Sequence, residues 1–249
     1  MLAEQIARIR ADNARLLQRL EETERRFRAI SRGVLRAQEA ERSRISRDLH
    51  DGVGQSLTAL KMQLDLLARD AERSASPLAQ RVAALREVAD AALQEIRQIS
   101  HAIRPQILDN LGLVPTLRWL VRTFETRTGI RASLACEQLR HGRDPDVETL
   151  LYRITQESLT NVTKHARASR VSVDLREERG ALWLRIEDDG AGFDPGAIEA
   201  RQHDVGFGMQ SMRDRVRLFG GRFAVRSAPG AGTIVEVAVP ADGAHEVAS

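Results

Sequence analysis

The chain has 249 residues, 42% of them hydrophobic and 29% charged, which allows one large domain or two modest ones with a substantial core. A single cysteine, Cys136, excludes a disulfide framework and a cysteine-built metal site, and in "IRASLACE" it reads as a buried strand residue in a reducing compartment. The pI of 9.7 invites a nucleic-acid reading, yet residues 1–50 hold 12 Arg against 8 acidic residues and the remaining 26 basic residues face 27 acidic ones, so the excess belongs to a solvated helix surface.

No apolar run reaches the roughly 18 residues of a membrane span, and the arginine-dotted N-terminus lacks a signal-peptide apolar core. Instead the chain opens on heptads. Ile6, Asn13, Leu20, Phe27 and Val34 fall at a, and Ile9, Leu16, Thr23, Ile30 and Ala37 at d. A lone Asn at an a position favours a parallel, in-register, two-stranded coiled coil. After Ala37 the next apolar position is Ile45, an offset resembling a stutter, so the helix continues while its seam rotates. It runs to about Ala71 with Leu49, Val53, Leu57, Leu60, Leu64 and Leu67 on one apolar face, and "DAERSASP" turns the chain. A second amphipathic helix carries Val82, Leu85, Val88, Ala92, Ile96, Ile99 and Ile103 and ends at Arg104, because Pro105 disfavours helix before it. Two such helices per chain, dimerised through a coiled coil, make a four-helix bundle.

The first of these helices has a fault in it. His50-Asp51 is followed at once by Gly52 and Gly54, each costing a helix about 1 kcal/mol relative to alanine. Since the apolar repeat continues through Leu67, the glycines do not end the helix; they strip side chains from around His50, so that a bulky partner can approach. Asp51 is the adjacent candidate for a base or orienting group. Gln55 lies four residues after Asp51, on the same face; its amide suits holding a water and equally suits a solvent-facing position.

The composition then changes. After "PQILDNLGL" come a helix through "PTLRWLVRTFETRTG", a strand "IRASLAC" and a long helix from about Asp146 to His165. Strands "RVSVDLRE", "ALWLRIEDD", "GRFAVRS" and "GTIVEVAVP" follow, interrupted by the helix "MQSMRDRVRLFG". Blocks of strands between helices argue for α+β, with helices on one face of a mixed sheet. On the long helix, Glu157, Asn161, Lys164 and His165 share the face opposite its apolar positions, as ligands of a nucleotide or as a solvated face would. Functionally, the Asn161 amide oxygen suits a Mg²⁺ ion that keeps most of its waters, and Lys164 and His165 suit phosphate oxygens.

Three glycine-bearing loops lie downstream. Asp188-x-Gly190-x-Gly192 ends a strand, Gly206-x-Gly208 precedes a helix, and Gly230, Gly232 and Thr233 open the last strand. Each alone could be an ordinary turn. No dinucleotide fingerprint, phosphate loop or protein-kinase HRD or DFG set accompanies them. Their order does carry information: polar helix, DxGxG, GxG, GxGT.

In that order, residues 148–239 resemble the nucleotide-binding domain of the GHKL ATPases: "LYRITQESLTNVTKHA" looks like an N box, "DDGAGFD" a G1 box and "GFGMQSMRDRV" a G2 box. "ERSRISRDLHDGVGQSL" resembles the phosphoacceptor box of NarL/DesK-type sensor histidine kinases, and the likeness extends over about residues 35–240. The resemblance implies a dimeric cytoplasmic histidine kinase that moves the γ-phosphate of Mg·ATP to His50 and on to an aspartate of a NarL-like response regulator. It makes Asn161 the Mg²⁺ ligand, Glu157 its helper and Asp188 the acceptor for the adenine amine. Gly190, Gly192, Gly206, Gly208 and Gly232, beside Thr233, would give room for ATP, and Gln55 matches the family's phosphatase motif. Ser211 stands where the subfamily has glycine at the lid-helix start; as a good N-cap it lets the helix form but alters the lid.

The expected organisation is a coiled-coil signalling helix (1–40), a dimerisation and phosphotransfer hairpin (41–104), a linker (105–111), a GHKL α/β sandwich ATP-binding domain (112–240) and a tail (241–249). The input would come from a partner sensor or from a sensor portion of a longer protein. The rival readings are a GHKL serine kinase, which needs no His-Asp helix, and a catalytically weak dimeric scaffold. Neither direct nucleic-acid binding nor a membrane span is expected.

Overall fold

The computed structural model describes residues 2–74, 77–103, 106–137, 139, 144–194, 196 and 207–242; Gly206, His141, His203, His245 and most of the expected tail lie outside the described residues. The chain divides into two units, Arg36–Leu111 and a second composed of Met1–Leu35 with Gly112–Ser249.

Helix α1 (Leu2–Asp48) is unbroken, so the offset after Ala37 interrupts nothing. The interruption comes at Leu49–Gly54, a π-helical turn, after which α2 (Gln55–Arg73) continues and α3 (Ala79–Ile103) returns along it. The inward seam runs through the turn. Its covered positions include Ser46, Leu49, Gly54, Leu57, Lys61, Leu64, Ala68 and Ala71, spaced by three or four residues apart from the step of five between Leu49 and Gly54 that spans the turn.

The single apolar face expected for residues 45–67 is therefore two faces. Leu57 and Leu64 turn toward α3, whereas Val53, Leu60 and Leu67 are 42%, 49% and 54% exposed. On α3 the same division holds: Ala89, Leu93 and Ser100 are buried, and Leu85, Val88 and Ile99 are exposed. Spacings of three, four and seven suit either face, which is why the pattern alone merges them. Lys61 pairs with Asp90 and Arg86 with Asp65 across the hairpin. A short helix, α4 (Gln106–Leu111), closes this unit.

In the other unit α5 (Leu113–Thr128) leads to β1 (Arg131–Cys136) and α6 (Pro145–Asn161), which ends in a second π-turn, Val162–Ala166. Then follow β2 (Arg170–Glu178), β3 (Ala181–Asp188), α7 (Phe207–Leu218), β4 (Arg222–Ser227) and β5 (Thr233–Pro240). The sheet has five strands in the order β1-β2-β3-β5-β4, parallel between β1 and β2 and antiparallel elsewhere. This is the helix-covered mixed sheet expected from the sequence.

Alternation sorts its two faces. Val171, Val173 and Leu175 of β2, Leu182, Leu184 and Ile186 of β3, and Val235, Val237 and Val239 of β5 are buried beneath Leu117, Val121, Leu151, Ile154 and Val216 of the helices. The other face carries Trp183 with Arg176 6.0 Å from its ring, and Arg185 and Arg226 both bonded to Glu236. Helix α6 starts where "DPD" demands it: the Asp144 side chain accepts from the Asp146 amide at 2.8 Å, with Pro145 at the first helical position.

The N-terminal part of α1 meets the end of α7. Arg32 Nε donates to the Leu218 carbonyl at 2.7 Å, and its guanidinium carbon lies 4.9 Å from the Phe219 ring centre. Heptad positions Leu16, Leu20, Phe27, Ile30 and Val34 meanwhile stay 56–68% exposed.

Candidate active site

Within the hairpin unit, His50 and Asp51 are exposed in the first π-turn and Gln55 is the first residue of α2, its backbone N–H donating to the Gly52 carbonyl. A π-turn holds about one residue more than an α-turn. Gln55 therefore comes back between His50 and Asp51 rather than over Asp51 alone, which brings the glutamine nearer the histidine than an unbroken α-helix would. Nothing among the described residues fills the space a Cβ would take at Gly52, and at Gly54 a Cβ would make only ordinary contact with the Leu49 carbonyl at 3.6 Å.

In the other unit the expected nucleotide residues gather around the end of α6 and the loops that follow β3 and precede β5. Asp188 continues the inward alternation of Leu182, Leu184 and Ile186, so it is a carboxylate at a core position, 8% exposed. Burial pushes its pKa up, while amide donors on Gly190 and Thr233 pull the other way; the Gly190 bond is 2.9 Å. An acceptor held half-dry and aimed from the sheet is suited to an amine donor on a flat ring.

The loops are stitched to each other. The Ala191 amide donates to the Ala166 carbonyl at 2.6 Å, and the Gly230 amide to the Ala191 carbonyl at 2.6 Å. Ser227 Oγ donates to the Gly232 carbonyl at 2.7 Å and accepts from the Phe193 amide at 2.9 Å. A Cβ at Gly190 would overlap the Ala166 carbonyl, one at Gly192 the Ala228 carbonyl, and one at Gly232 the Asp188 carbonyl. These glycines let three segments of backbone approach one another around Asp188, a role the expectation of room for ATP does not describe. Gly208, at the start of α7, faces Glu157, and a Cβ there would stand 2.7 Å from Glu157 Oε1.

Glu157 and Asn161 are half-buried on the last turns of α6, and Thr233 is half-buried at the start of β5, its hydroxyl 3.2 Å from Ser227 Oγ. Lys164 and His165 are exposed on the second π-turn. The extra residue in that turn sets them back from the face that Glu157 and Asn161 share, by up to about one residue's worth of rotation. Ser211 is the fifth residue of α7, which begins at Phe207, so it lies inside the helix and not at its N-cap as expected.

One residue of the site was not anticipated. Asp189 accepts from the Ser169 amide (2.8 Å) and hydroxyl (2.7 Å) and from the Arg170 amide (2.9 Å), which ties the end of β3 to the start of β2 and holds its pKa down at about 2. The available signal was the doubled aspartate at a strand end, where alternation sends one carboxylate inward and the next outward.

Comparison with known proteins agrees with this division. The histidine kinase family matches residues 41–108, and the family of histidine kinase-, DNA gyrase B- and HSP90-like ATPases matches residues 146–243. The chain is 34% identical over 86% of its length to sensor histidine kinase MctS of Rhizobium johnstonii, covering 46% of that protein. It is 33% identical over 88% of its length to the signal transduction histidine-protein kinase/phosphatase DegS of Brevibacillus brevis, covering 56% of it. Against sensor histidine kinase ComP of Bacillus subtilis it is 32% identical over 81% of its length, covering 26% of that protein. The chain thus spans between about a quarter and just over half of these relatives. Among the described residues no helix is long and apolar enough to cross a membrane. Both regions are matched in chain order and the aligned relatives run through them, so over most of its length the chain is similar to sensor histidine kinases of the NarL type.

Proposed function

We propose that this chain is the kinase core of a two-component system, autophosphorylating His50 from Mg·ATP and passing the phosphoryl group to an aspartate of a NarL-like response regulator. The observation that carries the reading is Asp188: a carboxylate at a core position, ringed by glycine-stitched loops, in a chain that also sets an exposed histidine in a π-turn. Asp188 accepts from the exocyclic amine of adenine. The Asn161 amide oxygen would hold Mg²⁺ beside Glu157, and Lys164, His165 and the backbone at Gly208 would meet the phosphates. When bound, Mg²⁺ supplies charge neutralisation at those phosphates.

At His50 a neutral ring nitrogen attacks the γ-phosphorus; the P–N bond forms as the bond to the ADP oxygen breaks, and Asp51 takes the proton from the other ring nitrogen. Gln55 holds a water in line with the phosphoaspartate of the regulator, giving the same turn a phosphatase role. The apolar faces left open on α1, α2 and α3 support a homodimer, working in the cytoplasm under a sensor partner or a sensor portion of a longer protein. We keep the division into residues 1–40, 41–104, 105–111, 112–240 and 241–249 as part of this reading.

Incubation with γ-labelled ATP and Mg²⁺ tests it. Acid-labile, alkali-stable label that disappears in His50→Ala and Asn161→Ala is the expected result. Gln55→Ala should keep autophosphorylation near wild type and prolong the life of the phosphorylated regulator. Acid-stable label would indicate a serine kinase, and no label a scaffold.

A further inference from the structure

We propose that Ser46 and Ser100 are positioning residues for the phosphoacceptor, an inference that rests on the reading of His50 given above. Both side chains are buried, 1% and 5% exposed, and they close a clasp between α1 and α3. Ser46 Oγ donates to the Ser100 carbonyl at 3.1 Å, Ser100 Oγ donates to the Ser46 carbonyl at 3.0 Å, and the two Oγ atoms are 2.8 Å apart. Four oxygens in a closed, buried arrangement have a narrow choice of geometries. The clasp therefore fixes both the rotation and the height of α1 against α3 at this level.

Ser46 stands four residues, one α-helical turn, before His50, and the π-turn begins three residues after it. Sterics at Gly54 do not force the π-turn, because a Cβ there would make only ordinary contact. Ser46 above the turn and Leu64, Ala68 and Ala71 below it are all buried on the inward side, so the clasp and the lower seam hold the helix on either side of His50.

A competing register exists. If the chain ran as continuous α-helix with Leu49 inward, Val53 would enter the seam in place of Gly54, followed by Leu60 and Leu67. These are the apolar residues that now face outward. The hairpin thus has two apolar seams, about 60° apart around the helix, and the clasp holds the observed one inward. Without the clasp, α1 is free to turn toward the other. His50 would then swing relative to Gln55 and α2, away from the direction in which it meets ATP.

The test is the pair Ser46→Ala with Ser100→Ala. Removing both hydroxyls together leaves neither as an unpaired buried donor facing the other, so the hairpin should still fold. Three results are expected: kcat for autophosphorylation falls between about five- and a hundredfold, KM for ATP stays within about twofold, and amide exchange across residues 49–55 accelerates. Ser100→Thr, which keeps the hydroxyl, should restore both rate and protection. A double variant with wild-type kcat overturns the proposal, as does a slowed variant whose exchange across 49–55 is unchanged. Failure of the underlying reading looks different, because label would then persist in His50→Ala.

Discussion

At the scale of single residues, Asp188 and Asp189 are neighbours in sequence with opposite electrostatics. Asp188 points into the core and burial raises its pKa; Asp189 points out and hydrogen bonds from Ser169 and Arg170 lower its pKa to about 2. The consequences for pH follow by linkage. Asp189, depressed in the folded state, contributes stability at pH values above its ordinary 3.8 that is lost as pH falls from there to about 2. Asp189→Asn should flatten that acid limb in thermal unfolding scans. Asp188, raised in the folded state, loses its charge at a higher pH than an ordinary aspartate, so ATP affinity should start to fall while exposed carboxylates are still ionised. Titrating a fluorescent ATP analogue between about pH 4 and 7 checks this: the decline should vanish, together with most of the affinity, in Asp188→Asn. Asp188 was legible because DxGxG announces it. Asp189 was not, since its partners come from a strand start some 20 residues away and no spacing encodes them.

At the scale of elements, α1 presents two faces. Arg32 falls at heptad position f, on the side away from the a and d residues, and that side carries the half-buried stripe Arg28, Ser31, Arg32 and Leu35. The Leu218 carbonyl is one of those a helix end leaves without an intrahelical donor. The amides of Phe219 and Gly221 go to Val216 and that of Gly220 to Arg217, so Arg32 supplies the donor for Leu218 from a distant part of the chain. Arg32→Ala should cost about 1 kcal/mol and speed amide exchange at the C-terminal turn of α7, with Arg32→Lys restoring little because a lysine lacks the planar group that stacks on Phe219. Unchanged exchange in that turn would contradict the cap. Sequence periodicity located the helices and strands of the described residues apart from α4, which falls in the expected linker. It missed both π-turns, because apolar residues at spacings of three and four continue through each of them.

At the scale of the whole molecule, the unpartnered apolar surface decides the assembly. Ile9, Leu16, Leu20, Phe27, Ile30 and Val34 run down α1 at 54–68% exposure, and within the hairpin unit Val53, Leu60 and Leu67 are exposed as well. A water-facing stripe of this length marks an interaction site. Its heptad period matches that of a second copy of the same helix. The heptads themselves were plain in the sequence; that the hairpin keeps a second, outward seam was hidden until its inward one was known. Asn13 lies in the α1 stripe at an a position, where an amide opposite its own copy costs stability but fixes a parallel, in-register pair. Asn13→Ile should therefore raise the unfolding temperature of the assembly while admitting higher oligomers, seen by light scattering as a mass above that of two chains. The wild-type chain should remain a dimer at micromolar concentration. A wild-type monomer there would leave the α1 stripe without an occupant and remove the dimer from the proposed mechanism.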